Sequence, residues 1–228
     1  RLKEARVRRV LEPVILGENR MDQSDEDYLY VRDLGLVKEG IGKRLEPGNA
    51  IYGEVIGRFL SSQAQMALGA ENSPAQSTKF IKAGVLDMDY LLEEFRVFWR
   101  ENSEIWEERF EYKESAPHLV LFAFLQRVIN GGGQIMREMA TGKGRLDIGV
   151  VYGGQKYPIE LKVCREQDKL ETIIKEGLEQ TERYMDVLGS KRGWLLVFDR
   201  HAKLSWKKKQ WRRTEKVSGG REIVVLGS

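Results

Sequence analysis

The chain has 228 residues, 41% of them hydrophobic and 32% charged, with a formal net charge of +3. That length can bury one large core or two small ones, no apolar run approaches the roughly 20 residues that span a bilayer, and so small a net charge does not by itself argue for a polyanionic partner. The single cysteine, Cys164, excludes an internal disulfide framework and a cysteine-rich zinc site, which predicts a reducing, cytoplasmic setting.

The chain opens at Arg1, and residues 2–11 are charged and amphipathic, without the apolar centre and cleavage site of a secretory signal. With no initiating Met, it reads as part of something longer. Apolar residues recur at near-helical spacing over residues 7–16 until Pro13 interrupts them. Residues 22–34 repeat the pattern with acidic residues at their start, so two short helices are expected. Leu36-Val37, a turn at Gly40 and Gly42, Leu45 and Pro47-Gly48 then suggest a small β-wing before an amphipathic stretch over residues 51–66. Helix, helix, wing, helix is the order of a winged helix-turn-helix; a plain three-helix unit with a β-turn fits the same pattern.

Residues 67–85 mix Gly, Asn, Ser, Pro and Thr and read as a connection. Residues 86–99 are amphipathic, with Leu91, Leu92, Phe95, Phe98 and Trp99 on one broad face that Trp106 and Phe110 continue. An acidic stretch follows, through Glu101, Glu104, Glu107, Glu108, Glu111 and Glu114. Residues 119–129 form a strongly apolar helix ending at Asn130-Gly131-Gly132-Gly133. Strands are expected at 134–138, at 146–152 and, after a Gly153-Gly154 hairpin turn, at 157–163. Residues 170–188 form a long amphipathic helix stopped by Gly189, residues 194–198 a buried strand, and residues 223–226 an edge strand. Between these last two lies a basic stretch with Lys203, Lys207, Lys208, Lys209, Arg212, Arg213 and Lys216, interleaved with Trp206 and Trp211. Such a composition suits a loop that grips a phosphate backbone, and equally a solvated loop.

Helix, three strands, helix, strand is an α/β sandwich. Within it Asp147 and Glu160 lie in consecutive strands joined by the glycine turn, which can bring both carboxylates to one end of a sheet. Paired hard oxygens suit Mg²⁺ or Mn²⁺. In Glu160-Leu161-Lys162, side chains two apart share a strand face, so Lys162 stands beside a metal there while Leu161 points into the core. Such a lysine can hold the attacking water and offset charge on a phosphate. Alone, Glu-x-Lys is a common pattern on exposed strands, and the strand, turn and helix context gives it weight. His118 and His201 have no ligand spacing to a partner and are expected to pack or lie at the surface. Cys164 reads as structural.

The runs Gly142-Lys143-Gly144-Arg145-Leu146-Asp147-Ile148 and Tyr157-Pro158-Ile159-Glu160-Leu161-Lys162-Val163 resemble the core of PD-(D/E)XK nucleases. Gln180-Thr181-Glu182-Arg183-Tyr184-Met185 and residues 194–199 are similar to the version fused to predicted prokaryotic AAA-like ATPases. Asp33-Leu34-Gly35-Leu36 and Asn49-Ala50-Ile51-Tyr52-Gly53-Glu54-Val55-Ile56 resemble the winged-helix end of those ATPases, and residues 67–105 carry the likeness least. The resemblance implies a restriction-endonuclease-like α/β/α sandwich with a mixed central sheet, preceded by a mostly helical winged-helix-like segment. Its divisions are 1–66 winged-helix-like, 67–105 a helical connection, and 106–228 nuclease-like.

It further implies a DNA nuclease using Mg²⁺ or Mn²⁺, with Asp147, Glu160 and Leu161 as the metal set and Lys162 as the catalytic lysine. Glu114 matches the helix-one glutamate, and a solvated acid at a helix N-terminus fits that residue equally well. Gln180 would border the site, or pack or cap, with Tyr184 one turn further along. Arg145, Lys207, Lys208, Lys209, Arg212 and Arg213 are the expected nucleic-acid contacts. No Gly-x-x-x-x-Gly-Lys-Ser/Thr occurs, so an N-terminal P-loop ATPase module would precede Arg1 in the intact protein and this chain is not expected to bind ATP. No membrane association is expected, and a homodimer stays open. An inactive nucleic-acid-binding or regulatory module with the same fold is the alternative.

Overall fold

In the computed structural model, apolar periodicity becomes two sets of packed elements, residues 1–69 with 103–123 and residues 70–102 with 124–228. The described residues are 1–15, 25–40, 45–49, 51–53, 55–56, 59, 78–109, 116–129, 132–140 and 145–228. The side chains of 78, 105–109, 127, 137–140 and 145–147 lie outside that description. Glu114, Phe110, most of the expected 67–85 connection and the turn at Gly42 also lie outside the described residues. Among them, no helix is long and apolar enough to cross a membrane.

In the first set, α1 (Ala5–Ile15) buries Val7, Val10, Leu11, Val14 and Ile15. It runs through Pro13 rather than stopping there, because the ring costs only one late hydrogen bond and Pro13, Val14 and Ile15 are all buried. Buried Glu12 is held by Arg8 at 3.0 Å. The second helix, α2 (Glu26–Asp33), starts where the Asp25 carboxylate accepts the Asp27 N–H at 2.9 Å. A hairpin of β1 (Val37–Glu39) and β2 (Leu45–Pro47) follows, in antiparallel register, with Val37 and Leu45 buried. The wing of the sequence pattern is thus a short hairpin, and residues 51–53 and 55–56 after it are helical.

The second set begins with β3 (Ile81–Lys82) and β4 (Val85–Leu86), a small hairpin inside the segment expected to be a plain connection. Gly84 at φ +78° turns it, and Phe80 and Leu86 are buried, so its few apolar residues anchor it. Next come α3 (Met88–Arg109) and α4 (Ala116–Ile129), then β5 (Gly133–Ala140), β6 (Arg145–Tyr152), β7 (Gln155–Cys164), α5 (Leu170–Leu188) and β8 (Arg192–Asp199). A short α6 (Trp206–Lys209), β9 (Trp211–Val217) and β10 (Arg221–Gly227) complete the chain.

Strands β5 to β10 form a six-stranded mixed sheet in the order β5-β6-β7-β8-β10-β9. β5, β6 and β7 are an antiparallel meander, β8 runs parallel to both β7 and β10, and β9 is antiparallel to β10. Gly153 and Gly154, at φ +55° and +77°, make the two-residue turn between β6 and β7, a conformation other residues adopt only with strain. Pro158 is tolerated in an inner strand because pairing with β8 begins only at Ile159, where its missing N–H is no longer at issue.

Helices cover both faces. On one, α5 contributes Ile174 and Met185 to a cluster with Cys164, Leu195, Val197, Ile223 and Val225. On the other, Phe95 and Trp99 of α3 meet Phe198 edge-on at 6.4 and 5.4 Å, and Phe124 of α4 meets Phe95 at 5.5 Å. The buried Arg96 donates to the Gly227 carbonyl at 2.9 Å and so ties α3 to the end of β10.

Two strand expectations are corrected. Residues 223–226 are not an edge: β10 lies between β8 and β9, and its unbroken run Ile223-Val224-Val225-Leu226 is buried on both faces, as an inner strand requires. The edge is β9, formed within the stretch expected to be a basic loop. Trp211, Arg213, Glu215 and Val217 alternate half-buried with exposed Arg212, Thr214 and Lys216, and that alternation lets a charged segment serve as a strand.

Candidate functional site

Alternation along β7 puts Glu160, Lys162 and Cys164 on one face and Ile159, Leu161 and Val163 on the other. Cys164 belongs to the cluster under α5, so the first set faces α5. The Glu160 side chain is 2% exposed and the Lys162 side chain 21%, and Lys162 Nζ lies 3.1 Å from Glu160 Oε1. Leu161 points to the opposite face and is buried, as expected from the sequence.

The register of β6 with β7 reaches the Ile148–Ile159 pair, and Asp147 and Glu160 are the residues that follow it on the two strands. The side chain of Asp147 lies outside those described, as does that of Arg145 at the start of β6.

Gln180 is half-buried on α5, next to buried Thr181 and one turn before buried Tyr184. The helix packs on β7 and β8, and its approach depends on Gly177: a Cβ there would fall 2.6 Å from a Leu195 methyl.

The basic residues do not form one free surface. Lys207 and Lys208 are exposed on α6, and Lys209 lies over the Trp206 ring at 5.5 Å. Arg212 and Arg213 stand on β9 and have carboxylate partners. Arg212 reaches Asp89 at 3.2 Å and Glu93 at 3.5 Å, and Arg213 reaches Glu215 at 3.0 Å and Glu171 at 3.5 Å.

At the carboxyl ends of β7 and β8 the structure assembles a group that sequence reasoning missed. Cys164 and Asp199 are register partners across the parallel pair, and His201 follows two residues after Asp199. One ligand atom from each of the three lies within 4.8 Å of the others. His201 Nδ1 is 2.6 Å from Asp199 Oδ1, which also accepts the His201 N–H at 2.9 Å. His201 was expected to be isolated; its partners come from a strand end two residues away and from a neighbouring strand. The Asp-x-His spacing was the available signal, and the cysteine could not be joined to it without knowing that β7 and β8 are neighbours. Burial, then the nearby Asp199 and Asp168 carboxylates, push the Cys164 thiol up to about 11. The hydrogen bond to Asp199 raises the His201 imidazole above its ordinary range.

An open pocket of about 580 Å³ lies at the other end of these strands, lined in part by Asp87, Asp89, Lys156, Tyr157, Arg192 and Trp194. None of the site residues expected from sequence lines it.

The fold and these strand-end groups define a mixed α/β protein with ionisable side chains gathered on the α5 face of its sheet. Residues 89–202 match the family described as a domain of unknown function (DUF8371), and the chain belongs to it. No curated protein and no solved structure matches the chain.

Proposed function

We propose that the chain is a metal-dependent nuclease that hydrolyses DNA phosphodiester bonds, with a restriction-endonuclease-like sandwich preceded by a winged-helix-like segment. The observation that carries this reading is the 3.1 Å contact of Lys162 with Glu160 on β7, with Asp147 on the neighbouring antiparallel strand β6 beside the Ile148–Ile159 pair. The order α4, β5-β6-β7, α5, β8, with β8 parallel to β7, adds support, being the arrangement the resemblance to PD-(D/E)XK nucleases implies.

The donor set fits a hard divalent ion: Asp147 and Glu160, with Leu161 between Glu160 and Lys162, would hold Mg²⁺ or Mn²⁺. When bound, the ion supplies Lewis-acid polarisation of the phosphate and neutralises its charge. Lys162 orients the attacking water and offsets negative charge that develops on the phosphate. Glu160 holds the Lys162 ammonium in place. Gln180 borders the site from α5. Exposed Lys207 and Lys208, with Lys209 and Arg145, contribute contacts to the phosphate backbone, while Arg212 and Arg213 must exchange a carboxylate for a phosphate to take part. In the intact protein an N-terminal P-loop ATPase module would control this activity.

One observation favours an inactive nucleic-acid-binding module instead: the Glu160 carboxylate is 2% exposed and already paired. The decisive assay incubates supercoiled, linear and single-stranded DNA with the protein in Mg²⁺, Mn²⁺ or EDTA. Metal-dependent cleavage is expected, reduced about 100-fold or more by Asp147→Ala and by Lys162→Ala. Cleavage that persists in EDTA, or that both variants retain, rules out this site. DNA binding without cleavage by the parent chain supports the module.

A further inference from the structure

We propose that Cys164, Asp199 and His201 form a site for a single Zn²⁺ ion at the carboxyl ends of β7 and β8. This does not rest on the nuclease reading, which uses hard oxygen donors and a different pair of strands.

A thiolate, an imidazole and a carboxylate together suit zinc, whereas Mg²⁺ takes oxygen donors. Three protein ligands leave a fourth position for water, the pattern of an open zinc site. The ligand atoms lie within 4.8 Å of one another, so small side-chain adjustments suffice to bring them to the roughly 2.0–2.3 Å bonds zinc makes. The His201–Asp199 contact of 2.6 Å must open for an ion to enter between them. The ion displaces the thiol proton of Cys164 to solvent and takes His201 as the neutral imidazole, with its N–H on the ring nitrogen that does not bind, so an imidazolium at His201 releases a second proton.

The supporting frame is built. Cys164 and Asp199 are positioned by the parallel register. The Arg200 N–H donates to the Cys164 carbonyl at 2.9 Å, and the Asp199 N–H to the Ser228 carbonyl at 2.7 Å, which pins both strand ends. Glu166 accepts the Ala202 N–H at 3.0 Å and Asp168 the Arg165 N–H at 2.9 Å, so two further carboxylates hold the loops around the cluster and make its field attractive to a cation. Cys164 and Asp199 are buried, and the His201 side chain is 24% exposed, so the imidazole marks the route of entry.

An ion here joins the end of β7 to the end of β8 and to the turn that follows, fixing the segment that leads into α6. Bound to the folded chain, the ion adds stability by mass action.

The test is metal titration of the chain after chelator treatment and dialysis. Zn²⁺ is expected to bind with 1:1 stoichiometry and to raise the thermal midpoint, and Co²⁺ to give a near-ultraviolet thiolate-to-cobalt charge-transfer band. Cys164→Ala should abolish that band, and His201→Ala, at a partly exposed position that spares the core, should weaken Zn²⁺ binding about 100-fold or more. Glu160→Gln should leave Zn²⁺ affinity unchanged, which separates this site from the proposed catalytic one. Absence of stoichiometric Zn²⁺ binding overturns the proposal. So does binding that survives in both Cys164→Ala and His201→Ala, or that is lost only in Glu160→Gln.

Discussion

Asp87 shows how a single side chain sets both a helix start and a pH dependence. Its carboxylate accepts the Tyr90 N–H at 3.0 Å, capping α3, and the Lys82 ammonium at 2.7 Å. The hydrogen bond from Lys82, then that from the Tyr90 N–H, holds its carboxyl below the usual range. A carboxyl with a lowered folded-state pKa stabilises the fold above its unfolded pKa and loses that contribution as pH falls through the folded value. Asp87→Ala is therefore expected to cost about 1 kcal/mol at neutral pH, and the gap from the parent chain should close as pH drops below about 4. Urea unfolding of the two proteins across that range measures it; a gap independent of pH would contradict the assignment. The residues that sequence reasoning found most readily were of this local kind. Glu160 and Lys162 could be paired because two positions apart on one strand share a face. His201 could not, since its environment includes Cys164, 37 positions away in the sequence.

Among the elements, those bounded by strong local signals matched expectation within a residue or two. α5 ends at Gly189 in the left-handed conformation, with the Ser190 N–H returning to the Met185 carbonyl at 2.9 Å. The β6–β7 hairpin turns at its two glycines. β9 went unread because lysine and arginine dominate the segment and hide its alternation, and β10 was placed at the edge because nothing in 221–227 says which strands flank it. Gly177 carries information of a different sort, the distance at which α5 meets β8. Leu195 is fully buried there, so a branched side chain on the helix cannot be accommodated by a swing into solvent. Gly177→Val is expected to destabilise by about 1–3 kcal/mol, read as a lowered urea midpoint at unchanged slope. An unchanged midpoint would mean that α5 rides further from the sheet than the register of the core indicates.

Across the chain as a unit, the small net charge conceals a division between basic residues committed to internal carboxylates and those turned to solvent. If the nuclease reading holds, Lys207 and Lys208 serve DNA directly, while Arg212 and Arg213 mainly secure β9 to α3 and α5. The double variant Lys207→Glu/Lys208→Glu should weaken binding to duplex DNA and lessen the slope of log affinity against log salt by about 2, with the thermal midpoint little changed. An unaltered slope in filter-binding or fluorescence titrations would remove α6 from the proposed interface. Local sequence was enough to establish the succession of helices and strands apart from β3, β4, α6 and β9, the turn between β6 and β7, and the shared face of Glu160 and Lys162. All of these follow from periodicity and turn chemistry within a few neighbouring residues. Tertiary pairing alone decided that β10 is an inner strand, that β7 lies between β6 and β8, and that Cys164 meets Asp199 and His201. Strand neighbours are chosen by burial and hydrogen bonding across the whole sheet, and no short stretch of chain carries that choice.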